Sequence, residues 1–74
     1  MARILVIEDD RVQRFAAVRA LQTAGHDVLE AADGAEGLAI ARVQQPDLIV
    51  CDVRMPGMTG YEVVRDLRRD AHLY

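Results

Sequence analysis

The 74-residue sequence predicts an α/β fold built on a parallel sheet. Three observations carry that prediction. Apolar runs of strand length alternate with segments of helical period, in the order βαβαβα. Two of the runs, residues 3–7 and 47–51, are apolar with little interruption, as strands buried on both faces are. The segments between elements are short and carry Gly, Pro or Asp at the breaks, and short right-handed crossovers lead to parallel pairing.

The first strand is expected at residues 3–7, Arg-Ile-Leu-Val-Ile, ending at Glu8. A helix is expected from about residue 11 to 24, with Ala17, Ala20, Leu21 and Ala24 on its apolar face and Gly25 as its stop. Asp10, just ahead of it, reads as a surface or N-cap residue. Residues 27–31 alternate polar and apolar positions, as in a strand near a sheet edge. Asp33 then offers an N-cap carboxylate with Glu36 three residues on. Ala35, Leu38, Ala39 and Val43 are the expected apolar face of this second helix, which runs to about Gln44 before Pro46. The third strand, residues 47–51, delivers Asp52. After the turn at Met55-Pro56-Gly57, Thr59 and Glu62 repeat the capping pattern. Val63, Val64, Leu67 and Ala71 line one side of a third helix, whose Arg65, Arg68 and Arg69 form a solvated face. Met55 and Met58 read as packing residues.

In doubly wound sheets of the flavodoxin type the first strand lies between the second and third, giving the order 2-1-3. The ligand crevice opens at the carboxyl ends of the strands, where the winding reverses. Here that point falls between the first and third strands. Both end in acid: Glu8 and Asp9 close one, Asp52 the other.

Composition limits the alternatives. With 12 acidic and 9 basic residues, a net charge of −3, 51% hydrophobic and 28% charged residues, the chain is an ordinary globular one with no general attraction for polyanions or anionic membranes. The single cysteine, Cys51, sits in an apolar run and reads as a small buried hydrophobe; no intrachain disulfide is possible, which fits a reducing, cytoplasmic setting. The leading apolar run is too short for a signal peptide or a membrane span. All nine basic residues are arginine, so the chain contains no lysine.

Neighbouring strands lie about 4.8 Å apart, so Glu8, Asp9 and Asp52 are expected close together. Like charges at such spacing require either a protonated member or a compensating cation. Carboxylate oxygens with room for water suit a hard, partly hydrated ion such as Mg²⁺. Zinc does not fit, because His26, His72 and Cys51 form no ligand pattern.

At these residues the sequence resembles the response-regulator receiver domain of two-component signalling. The likeness runs through "ARILVIEDD", "EAADGAEGL" and "PDLIVCDVRMPGMTGYE", and the Asp9-to-Asp52 spacing with Asp-x-x-Met-Pro-x-Met-x-Gly is specific in combination. The resemblance implies that Asp52 is the phosphoacceptor, that Glu8, Asp9 and Asp52 hold Mg²⁺, and that the backbone carbonyl of Arg54 completes the protein ligands. It also implies a histidine kinase or histidine phosphotransfer protein as phosphoryl source. The domain is then a signalling acceptor rather than an enzyme acting on a separate substrate.

The family fold has five strands and five helices, with a Ser or Thr after the fourth strand and a Lys after the fifth contacting the phosphoryl group. These 74 residues are therefore expected to be one truncated receiver domain, spanning strands 1–3 and helices 1–3, with two strands and two helices absent and with the switch incomplete. A natural half-receiver serving as a non-phosphorylated interaction module is the alternative. A phosphohydrolase using an aspartate nucleophile is disfavoured, because the acid-base Asp expected two residues after the nucleophile is Arg54. Homodimerisation through an exposed third-strand edge is expected of such a piece. Nucleic acid would be met only through a C-terminal output domain outside this sequence.

Overall fold

A computed structural model describes residues 1–51. Within them β1 (Arg3–Ile7), α1 (Arg11–Thr23), β2 (Asp27–Ala31), α2 (Gly34–Gln44) and β3 (Leu48–Cys51) follow in sequence. The sheet they form is parallel, in the order β2-β1-β3, as the alternating pattern predicts. The expected helix after Thr59 lies outside the described residues.

The first crossover leaves the central strand for one edge and the second, from β2 to β3, passes back over it to the other edge, so right-handed connections place α1 and α2 on opposite faces. Leu5 and Ile7 of β1 meet Ala31, Leu38 and Ala41 in the core beneath α2, joined by Leu29, Ile40, Ile49 and Cys51. Side chains alternate along a strand, so Ile4, Val6, Leu48 and Val50 face the other way. Ile4 and Val6 are buried there, whereas Leu48 remains 53% and Val50 43% exposed. Among the described residues the third strand is thus covered on one face only, and it begins one residue later than expected. Asp47 precedes it as a clamp: its N–H donates to the Arg3 carbonyl at 2.8 Å and its Oδ2 accepts from the Arg3 N–H at 2.8 Å.

The helices turn about their axes relative to the sequence expectation. In α1 the inward side is Arg14, Ala17, Val18 and Leu21, while Ala20 and Ala24 are exposed. In α2 it is Gly34, Gly37, Leu38 and Ala41, whereas Ala35, Ala39 and Val43 face solvent. The reason is close approach: a Cβ on Gly37 would fall onto Ile7 Cδ1 and 2.7 Å from its Cγ1. Glycine, which a hydrophobicity pattern does not count, is what seats α2 on the sheet.

The helix ends follow their sequence signals. Asp10 Oδ1 accepts from the Gln13 N–H at 2.9 Å and Asp33 Oδ1 from the Glu36 N–H at 2.8 Å, so both are N-caps. At the end of α1, Gly25 adopts φ +93°. Its N–H donates to the Gln22 carbonyl and that of His26 to Leu21, the paired bonds of a Schellman stop.

Candidate functional site

The carboxyl end of β1 brings Glu8 and Asp9 to the rim of the sheet. Glu8 is half-buried and Asp9 exposed. The backbone N–H of Glu8 donates to the Ala31 carbonyl at 3.1 Å, which carries the β1–β2 ladder one step past Ile7. The chain then turns within two residues into α1. Glu8 Oε2 accepts from the N–H of Asp10 at 3.0 Å, so the first acid of the pair braces the N-cap of the following helix. Asp10 itself serves α1, as its position suggests, and stands apart from the acidic pair in role.

On the other side, β3 lies parallel to β1 with Ile7 opposite Cys51. Glu8 and Asp52 are the next residues of their two chains. Asp52 and Arg54 lie outside the described residues, as do the Met-Pro-Gly turn and Thr59. Among the described residues no three His, Cys, Asp or Glu side chains converge on one point. The donor set that is described, two carboxylates at a strand end with one of them open to solvent, is all oxygen and fits a hard hydrated cation rather than zinc.

Arg14 was not singled out by sequence pattern, being one arginine among nine. It lies on the inward side of α1, donates from Nη1 to the Glu8 carbonyl at 2.8 Å and places Nε 3.4 Å from Glu30 Oε1. The signal that could have found it is a cation in register with Ala17, Val18 and Leu21, at i, i+3, i+4 and i+7. At the opposite end of the sheet a second polar cluster ties the strands together. Arg3 Nε meets Asp27 Oδ2 at 3.2 Å, Arg3 Nη1 donates to the Gln44 carbonyl at 3.3 Å, and the Ala2 N–H donates to His26 Nδ1 at 3.1 Å. This lower cluster is spent on the chain's own ends and leaves the carboxyl rim as the site. No helix among the described residues is long and apolar enough to cross a membrane.

Known proteins share this arrangement. A family model described as the response regulator receiver domain matches residues 4–73. Protein PilH of Pseudomonas aeruginosa is 39% identical over 71 residues, covering 96% of this chain and 59% of its own. Chemotaxis protein CheY4 of Vibrio cholerae superposes with a TM-score of 0.94 at 41% identity, over 99% of this chain and 61% of that one. The response regulator TrrA of Thermotoga maritima, solved in complex with Mg²⁺ and BeF, superposes at 0.91 with 33% identity, over 97% of this chain and 63% of its own. The chain thus spans about three fifths of the length of these relatives. With the βαβαβ order, the central β1 and the acidic rim in place, the chain belongs to the response regulator receiver domain family.

Proposed function

We propose that this chain carries the phosphoacceptor site of a two-component response regulator, with Asp52 as the acceptor and a histidine kinase or histidine phosphotransfer protein as the donor. The observation that carries this reading is the parallel pairing of Ile7 with Cys51, since it makes the acidic pair and Asp52 the next residues along two adjacent strands. In the transfer, a carboxylate oxygen of Asp52 attacks phosphorus. The O–P bond forms as the P–N bond to the donor imidazole breaks, and the leaving nitrogen takes up the electron pair. Glu8 and Asp9 would hold Mg²⁺ together with Asp52 and the Arg54 carbonyl. Bound there, the ion would supply charge neutralisation at the oxygens of the transferred phosphoryl group. The magnesium complex of TrrA supports this assignment by family likeness.

Acetyl phosphate with Mg²⁺, followed by rapid quenching and intact-mass measurement, tests the assignment. A single phosphoryl adduct is expected, absent in Asp52→Asn. No adduct at any time, or the same adduct in Asp52→Asn, would sink it.

A second observation concerns assembly. Beside the expected pairing of third-strand edges, Leu48 and Val50 leave one face of β3 half-exposed, and an apolar face open to solvent favours packing against a second copy. We propose a homodimer through β3, to be read by sedimentation across a concentration series.

A further inference from the structure

We propose that Arg14 is a positioning residue for the acidic pair, fixing the main chain at Glu8 and with it the stance of the Glu8 and Asp9 carboxylates. This rests on reading that pair as a magnesium site. Arg14 uses two different nitrogens for two different strands: Nη1 donates to the Glu8 carbonyl at 2.8 Å, and Nε faces Glu30 Oε1 on β2 at 3.4 Å. Its side chain is only 18% exposed, against 58% for Glu30.

The peptide group is planar, so holding the Glu8 oxygen also fixes the N and Cα of Asp9. The Glu8 N–H is already bound to the Ala31 carbonyl, and Arg14 therefore locks the second polar group of the residue at which the chain leaves the sheet. The loop is closed on itself: Glu8 Oε2 accepts from the Asp10 N–H, and the Asp10 carbonyl accepts from the Arg14 N–H at 2.9 Å. An aliphatic side chain would fill this inward helix position without polar partners, whereas the arginine here is committed to two of them. What the arginine adds is a donor aimed at the strand end.

The test separates folding from metal binding. Arg14→Met keeps the length and packing of the side chain but removes both donors. Its unfolding midpoint in urea is expected to hold or rise, while Mg²⁺ affinity, read by calorimetry or chemical-shift titration, falls about tenfold, as loss of a group that orients a metal ligand commonly does. Arg14→Lys, which restores one donor, is expected to recover part of that loss. Unchanged affinity in a folded Arg14→Met, or no recovery in Arg14→Lys, overturns the proposal. Should Arg14→Met fail to fold, Glu30→Ala decides, since it removes the second anchor: a smaller loss of affinity is expected, and none overturns the proposal. Asp9→Asn serves as the control. If it too leaves Mg²⁺ binding unchanged, it is the magnesium reading of the pair that fails.

Discussion

Gly37 shows how much can hang on a missing atom. Its Cα lies against Ile7, a residue 1% exposed and boxed in by the core under α2, so an added methyl has nowhere to go. Alanine raises helix propensity by up to about 1 kcal/mol, whereas forcing a methyl into a packed core costs about 1 to 3 kcal/mol. Gly37→Ala is therefore expected to destabilise the domain by up to about 2 kcal/mol in urea unfolding; a more stable variant would show that the contact with Ile7 relaxes freely. Gln45, by contrast, ends α2 at φ 48°, a left-handed position where glycine or asparagine is usual. Nothing in its residue type foretells that conformation. It follows from the need to turn the chain between the last helical turn and Pro46.

At the scale of elements, sequence signals place ends better than faces. The caps at Asp10 and Asp33 and the stop at Gly25 fall where capping chemistry puts them, because a cap is a bond between neighbours in sequence. Asp33→Ala removes the bond to the Glu36 N–H and is expected to cost about 1 kcal/mol, visible as a lower urea midpoint. No change would mean that another acceptor or water takes over the amide. Which side of each helix is buried was less readable. The alanines of α1 suggest a face containing Ala20 and Ala24, but the helix turns Arg14, Ala17, Val18 and Leu21 inward. Alanine is small and nearly indifferent to burial, so an alanine stripe is a weak guide to direction, and the pull of Arg14 toward Glu8 and Glu30 enters no hydrophobic pattern.

At the scale of the whole molecule, the sheet is covered unevenly. Leu5, at 0% exposed, is enclosed under α2, whereas Val50, one strand over and on the opposite face, is 43% exposed. An apolar strand face open to solvent would favour the self-association proposed above. Val50→Lys places a charge on that face without touching the core cluster, and it is expected to shift the sedimentation profile toward monomer while leaving the cooperative urea transition in place. A wild-type chain that stays monomeric at high concentration, or a Val50→Lys variant that associates as strongly, removes the case for pairing through β3.

The sequence by itself determined the order of elements, the parallel sheet with β1 at its centre, the N-cap at Asp33 and the placement of Glu8 and Asp9 at a strand end, and left Asp10 as a surface or N-cap residue. These depend on local periodicity and on the handedness of crossovers, which act through short stretches of chain. Only the tertiary structure decided which helix faces turn inward, that Gly37 is the contact seating α2, and that Arg14 reaches across to the peptide of Glu8. Those features depend on distances between residues far apart in sequence, where steric fit and the pairing of buried polar groups outweigh the local hydrophobic pattern.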